Sequence, residues 1–277
     1  MFNNIHDFTS QSYDSIKYIL NSEIRLNILL ELTQKPLNVE DLQKILKKQE
    51  TNILRSLREL EELNLIEKNN NKKYSLTSSG YLACRNLEVF IENWMVSDKF
   101  NKYWNTHALN STPIQFSRYL YLWKDAKLIN ADSINYAKTL EIFKEKISNQ
   151  KNLKIILPIF SKYHIEAIIN SLENNDGYLK LITSKNIYDK ILESEFSDKF
   201  KKLRENDQIK TYITDDDIHQ IFYTIVDDCA LLTLFYNDGI YDDSSILVDE
   251  KKENALIHKI IFDDYEKTCK KNEENHD

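Results

Sequence analysis

The sequence predicts an α+β protein in two parts: a small helical unit carrying one β-hairpin, then a larger α/β unit with a mixed sheet. Three observations predict it. Apolar residues recur at helical spacing through the first part of the chain, interrupted by two short strand-like runs. From Asp132 onward, helix-period and strand-period segments alternate, and two strand-like runs then follow each other directly. Among 277 residues there are only three glycines and three prolines, which favours long helices over elaborate loops.

In the first part, Ile16, Ile19, Leu20, Ile24, Ile28, Leu29 and Leu32 place one helix over Ser15–Leu32, stopped by Pro36. Asn38-Val39-Glu40-Asp41 is an N-cap with a carboxylate three residues on, and opens a short helix through Leu42, Ile45 and Leu46. After the polar turn Lys47-Lys48-Gln49-Glu50, a third helix runs from about Thr51 to Leu63 with Ile53, Leu57 and Leu60 inward. Asn64 suits a left-handed helix stop. Leu65–Lys68 and Lys72–Leu76 read as two strands around an Asn-rich tip. Thr77-Ser78-Ser79-Gly80 caps a long helix pattern over Ser79–Tyr103.

Helix, short helix, turn, helix, hairpin, helix is the order of a winged helix-turn-helix. The end of the third helix, Leu57-Arg58-Glu59-Leu60-Glu61-Glu62-Leu63-Asn64-Leu65-Ile66, resembles the "LxxLEExGLI" pattern of prokaryotic winged-helix regulators. Tyr74-Ser75-Leu76-Thr77-Ser78-Ser79-Gly80 resembles the "YxLTxxG" that closes their wing. The resemblance implies double-stranded DNA as partner. A helix fits the major groove and presents its N-terminal half to base edges. With the aliphatic stripe inward, Gln49, Thr51, Asn52, Arg55 and Arg58 fall on the outer face. Amides suit adenine and arginines suit guanine. Lys47 and Lys48 stand in the turn where phosphates would pass, and Asn70, Lys72 and Lys73 stand on the wing. A competing reading has Arg55 and Arg58 merely solvating a helix face in pairs with Glu59, Glu61 and Glu62, and Glu50 is awkward at a groove.

Charge fits that division. The net charge is −7, yet residues 1–105 hold 14 basic and 14 acidic side chains, leaving 23 against 30 in the remainder. A neutral reader with local basic patches beside an acidic domain suits a regulator. The aromatic-rich stretch Trp94, Phe100, Trp104, Phe116, Tyr119, Tyr121 and Trp123 suits packing against the second domain or a homodimer interface, and two-half-site recognition favours the dimer. The boundary is placed near Asn105–Thr112. The expected domains are 1–104 with the linker helix, 112–271 for the α/β effector domain, and a charged tail at 272–277.

In the second part, helix patterns cover Asp132–Ser148, Ser161–Glu173 and Ile187–Arg204. Strand patterns cover Leu153–Phe160, Tyr178–Thr183, Ile209–Ile213, His219–Val226 and Cys229–Tyr236, the last two joined at Asp227-Asp228. A final helix carries Leu256, Ile260, Ile261, Phe262 and Tyr265. Four patches carry a second resemblance. They are Leu157-Pro158-Ile159-Phe160; Leu181-Ile182-Thr183; Tyr212–Asp217 with Phe222–Asp227; and Leu234–Asp242. Over Lys127–Glu266 the chain resembles the middle domain of FilR-type methanogenesis regulators of archaea, and its layout is similar to phospholipase-D-like sensor domains of archaeal sugar-responsive regulators. It departs from the family near Ala255–Ile260, where a Trp-Gly pair is absent. The resemblance implies a methanogen-type archaeal source and a C-terminal domain that senses a small molecule or partner.

No enzyme is expected. The three glycines lie far apart, so a P-loop, dinucleotide fingerprint or GxSxG elbow is impossible in its usual form. No HExxH exists, and the HxKxxxxD of phospholipase-D nucleophiles is missing after His164, His219 and His258. The remaining alternatives are a degenerate phosphodiesterase and a winged-helix adaptor that binds protein. Asp215-Asp216-Asp217, Asp227-Asp228 and Asp242-Asp243 could chelate a cation, although aspartate favours turns; no metal or cofactor is assigned. His107, His164 and His219 read as surface or half-buried residues, Cys84 and Cys229 as packing residues. Tyr163, Glu166, Tyr223 and Tyr241 lie near strand ends and turns without an assigned role. Three separated cysteines and no apolar run long enough to span a bilayer favour the cytoplasm and no membrane partner.

Overall fold

The computed structural model describes residues 10–214 and 220–271. Contacts divide the chain into two compact units, Met1–Ile91 and Glu92–Asp277. The division falls within a helix, earlier than the segment 105–112 suggested by sequence. Val96, Phe100, Tyr103 and Trp104 belong to an aromatic core of the second unit, so their burial, rather than linker composition, sets the limit.

The first unit runs α1 Ser10–Leu20, α2 Glu23–Leu32, α3 Val39–Leu46, α4 Glu50–Glu62, β1 Ile66–Lys68, β2 Tyr74–Leu76 and the start of α5 Ser78–Lys99. The single helix expected over Ser15–Leu32 is two. Ser22 breaks it because its hydroxyl accepts from the Arg25 N–H at 3.3 Å, an N-cap that starts α2 anew. Asn38 and Asp41 form the expected reciprocal capping box at α3. Ile28, Leu29, Leu42, Ile53, Leu57 and Leu60 are completely buried in one core, whereas Ile45 is exposed. Asn64 adopts the left-handed conformation, φ 55°, as read from sequence.

The wing closes on a tight lock. Thr77 Oγ1 donates to the Asn64 carbonyl at 2.7 Å and accepts from the Gly80 N–H at 3.0 Å. A Cβ at Gly80 would lie 1.8 Å from the Leu65 carbonyl oxygen. The glycine of the "LTxxG" pattern is therefore demanded by close backbone approach between the start of α5 and the end of α4. The helix expected to reach Tyr103 stops at Lys99; Asn101–Thr106 forms the separate α6.

The second unit continues with α7 Ile114–Arg118, β3 Lys127–Asn130, α8 Lys138–Ile147, β4 Asn152–Leu157, α9 Lys162–Asn175, β5 Tyr178–Ser184, α10 Lys185–Leu192, α11 Ser197–Glu205, β6 Ile209–Thr214, β7 Ile221–Ile225, β8 Ala230–Leu234, β9 Ser245–Asp249, α12 Lys252–Glu266 and β10 Lys270–Lys271. Among the described residues these strands form one mixed eight-stranded sheet in the order β10-β6-β5-β4-β7-β8-β9-β3. The strands β6, β5 and β4 are parallel, and direction reverses between β4 and β7. One face is covered by α8, α9, α10 and α11, through residues such as Phe143, Ile168, Tyr188 and Phe200. The other is covered by α6, α7 and α12, through Trp104, Phe116 and Phe262. Because β7 and β8 are buried on both faces, they read as continuous apolar runs.

Several expected elements are corrected here. Residues 132–137 are a turn rather than helix, because the Asp132 carboxylate accepts from the N–H groups of Ile134 and Asn135, both at 2.9 Å. The helix over Ile187–Arg204 is broken between Leu192 and Ser197, where the Ser194 hydroxyl accepts from Phe196 N–H. On α12, Leu256 and Ile260 face solvent; Ala255, His258, Ile261, Phe262 and Tyr265 face the core. Asp215-Asp216-Asp217, His219 and the tail 272–277 lie outside the described residues.

Two buried polar networks stabilise the second unit. His258 donates or accepts between Asp249 Oδ2, at 2.9 Å, and the Tyr223 hydroxyl, and Asn254 donates to the same carboxylate at 2.8 Å. His107 is buried rather than superficial. Its ring bonds Asp242 at 3.0 Å and the Tyr103 carbonyl at 2.7 Å and stacks on Tyr236. Burial opposes the Asp242 charge, but His107 and Ser244 hold its carboxyl well below the usual carboxylate range. Asp242 is thus committed to structure. Among the described residues no group of three or more His, Cys, Asp or Glu could hold a metal.

Candidate nucleic-acid interface

The site is built on α3, the turn after it, α4 and the wing. Lys47 takes the left-handed conformation, φ 53°, and ends α3. Gln49 precedes α4 without capping it by its side chain, so α4's first N–H groups lack that partner. Ile53, Leu57 and Leu60 turn inward at 0 % exposure. At 3.6 residues per turn, this places Gln49, Thr51, Asn52, Arg55 and Arg58 on the exposed face, together with Glu50. Lys47 is exposed, while Lys48 is half-buried and paired with Glu23 at 3.2 Å. On the wing, the Asn69 side chain accepts from the N–H groups of Asn71 and Lys73, both at 3.0 Å. That bracket and the left-handed Lys72, φ 59°, shape the tip and leave Asn70, Lys72 and Lys73 exposed. The structure thus gathers the ten sequence-derived positions on the helix face, the turn and the wing of one unit.

Sequence reasoning missed Arg25. Its guanidinium lies 3.8 Å from the Tyr18 ring centre and donates to Glu59 at 2.6 Å and to the Tyr18 carbonyl. Glu59 also accepts from Arg55 at 2.9 Å. The Arg25 and Glu59 side chains are only 12 % and 14 % exposed, whereas Arg55 is 81 % exposed. Glu59 is therefore a fixed carboxylate anchored from below by Arg25, and Arg55 reaches it from the solvent side. The competing sequence reading, in which Arg55 pairs with nearby glutamate, describes the unbound geometry of Arg55. Arg58 has no corresponding ion pair among the described residues.

Desolvation opposes the Glu59 charge, but hydrogen bonds from Arg55, Arg25 and Tyr18 outweigh it and hold the carboxyl below its ordinary range. A carboxylate with a depressed folded-state pKa stabilises the fold above its unfolded value, near 4.3, and loses that contribution as pH falls through the folded one. Glu59→Gln should therefore cost the first unit about 1–2 kcal/mol near neutrality. The cost should shrink in acid, as read by thermal unfolding between pH 3 and pH 7.

Cys84 and Cys229 are buried packing residues; burial pushes their thiols up to about 11 and about 12. No helix among the described residues is long and apolar enough to cross a membrane.

Comparison with known proteins follows this division. Residues 13–94 match the N-terminal domain, and residues 136–257 the middle domain, of the methanogenesis regulatory protein FilR1. Over 229 residues, 82% of this chain, the sequence is 21% identical to the methanogenesis regulatory protein FilR1 of Methanothrix harundinacea. The chain spans about half of that relative's length, 51%. Among solved structures, TrmBL2, an archaeal chromatin protein described as having a novel mode of DNA binding, aligns at a TM-score of 0.40 and 15% identity, covering 93% of this chain and 99% of that one. NucT from Helicobacter pylori aligns at 0.39 and 14%, covering 53% of this chain and 98% of that one. With both domain matches in the expected order, one over the winged helix-turn-helix and one over the mixed sheet, the chain belongs to the FilR1 family of methanogenesis regulatory proteins.

Proposed function

We propose that this chain is a sequence-specific, DNA-binding transcriptional regulator that acts in the cytoplasm as a homodimer, and that its α/β unit senses a small molecule or partner. The observation that carries the reading is α4: its aliphatic stripe is fully buried while Gln49, Thr51, Asn52, Arg55 and Arg58 share the exposed face. That division fits insertion of α4 into a major groove, with Lys47 beside it and the wing residues Asn70, Lys72 and Lys73 reaching the flanking backbone. The family of the chain agrees with this use.

Exposed apolar side chains support the dimer. On α1, Tyr13, Ile16 and Leu20 share one helical face; on α5, Leu82 and Val89 are two turns apart. Two copies would then address two half-sites about one duplex turn apart. Sedimentation should give twice the chain mass, and Leu82→Glu with Val89→Glu should halve it.

The deciding experiment is footprinting on genomic DNA. Protection of discrete paired half-sites, weakening steeply with added salt, is the expected result. Uniform coating or no protection would overturn the reading, the latter favouring a winged helix that contacts protein.

A further inference from the structure

Three helices of the first unit meet at one carboxylate. Glu59 of α4 accepts from Arg25 Nη1 through Oε2 at 2.6 Å and from Arg55 Nε through Oε1 at 2.9 Å. The two arginines are not equivalent. Arg25 stands in the first turn of α2, behind the Ser22 cap, and its side chain is 12 % exposed. Its Nε and Nη2 donate to the Tyr18 carbonyl at 3.1 Å and 2.6 Å. That carbonyl belongs to the last turn of α1, where backbone acceptors have no partner within the helix. The Tyr18 ring closes over the guanidinium at 3.8 Å, a cation–π contact. Arg25 is thus fastened by α1 and α4 together. Arg55 is 81 % exposed, and its guanidinium can turn away into solvent.

This asymmetry sets what it costs Arg55 to reach DNA. An ion pair with an exposed partner one helical turn away contributes little. The Glu59 carboxylate itself is only 14 % exposed, and stranding such a charge without a cation is heavily unfavourable. With Arg25 in place, Glu59 keeps a partner when Arg55 goes, so only the weak outer pair is lost. With Arg25 removed, Arg55 would be the one arginine left on Glu59. The Tyr18 hydroxyl also bonds Glu59 but brings no charge. Every departure of Arg55 to a base would then strand a nearly buried carboxylate, and the reading side chain would be held back by its own neighbour.

We propose that Arg25 is a positioning residue for DNA reading: it meets the Glu59 charge from below and so leaves Arg55 free to pass from Glu59 to a base. In this role Arg25 touches no DNA and acts only through Glu59 and Arg55. The proposal rests on the DNA-binding half of the function given above. It adds α1 and α2, through Tyr18 and Arg25, to the reading apparatus of α4 and the wing.

The test titrates the full chain against its footprinted site. The variants are Arg25→Gln, Glu59→Gln and the two together, with Arg25→Gln repeated in an Arg55→Ala background. Unfolding midpoints are measured in parallel so that only folded protein is compared. Arg25→Gln should weaken binding about tenfold or more, because Glu59 is then left to Arg55 alone. Adding Glu59→Gln, which also restores the net charge, should return affinity to within about threefold of wild type. With Arg55→Ala already present, Arg25→Gln should change affinity by less than about threefold. Glu59→Gln alone should hold affinity or raise it, and this variant decides even where Arg25→Gln is too unstable to titrate. The proposal is overturned if Glu59→Gln lowers binding, since the carboxylate would then be aiming Arg55 rather than retaining it. It is overturned as well if Arg25→Gln causes no loss, or if its loss persists beside Glu59→Gln or Arg55→Ala, which would make Arg25 a support of the fold only. Wild-type protein that protects no operator would remove the DNA-binding reading itself, whereas intact protection with any of those results strikes the role of Arg25 alone.

Discussion

Replacing Arg55 and Arg58 together by alanine should weaken operator binding by about 2–6 kcal/mol, roughly thirtyfold or more, without unfolding the first unit. Each base-reading arginine contributes about 1–3 kcal/mol of discrimination, and both side chains stand outside a core that is already closed by Ile53, Leu57 and Leu60. The two should differ. Arg58 has no ion pair to surrender among the described residues, whereas Arg55 is paired with Glu59 and would have to give up that pair to reach a base, so part of its gain would be offset. Single variants should therefore rank Arg58→Ala as the more damaging. Titration of each variant against the footprinted site and against scrambled DNA separates base reading from phosphate attraction. Equal losses on both sequences would assign these arginines to the backbone; no loss in the double variant would remove α4 as the reading helix.

Gly80→Ala should destabilise the first unit by about 3 kcal/mol or more, a large share of a typical domain stability of about 5–15 kcal/mol. The added methyl would meet the Leu65 carbonyl oxygen at 1.8 Å and its carbon at 2.7 Å. Both are backbone atoms, which cannot rotate away as a side chain could. Relief would require parting the start of α5 from the end of α4 and breaking the bonds that Thr77 makes to both. The wing hangs from that junction, so DNA binding should fail along with stability. Urea unfolding of Gly80→Ala beside the exposed-site control Ser79→Ala measures the effect. A midpoint equal to the control's would show that the junction yields at little cost.

The winged helix-turn-helix was legible because its signals are local. Asn38 with Asp41, Asn64 at a left-handed stop and the Thr77–Gly80 pair each act within a few residues. The outer face of α4 followed from its periodicity alone. Failures arose where a local bond cut a periodic pattern, as Ser22 does before α2 and Asp132 does before α8. Distance hid the rest. Strand β3 finds its partner β9 more than a hundred residues along the chain, and short apolar runs such as Ser245–Asp249 do not announce such pairing. Arg25 lies 34 residues from Glu59, so only folding could place it beneath the exposed face of α4. Tyr241 and His164 were visible as residues near turns, but their meeting over β7 and β8 depends on sheet order.

Glu59 has one more consequence, for how binding would register in solution. Ion release on DNA association is commonly used to count contacts, at about 0.9 cation per phosphate neutralised. Here the protein carries an internal counter-ion for Arg55. If that arginine swings to the duplex, the vacated carboxylate, still paired with Arg25 beneath it, regathers a fraction of a cation from solvent. Lys48 and Glu23 repeat the arrangement at the edge. The apparent ion count would then fall short of the true number of contacts, and removing the charge at position 59 should abolish that shortfall.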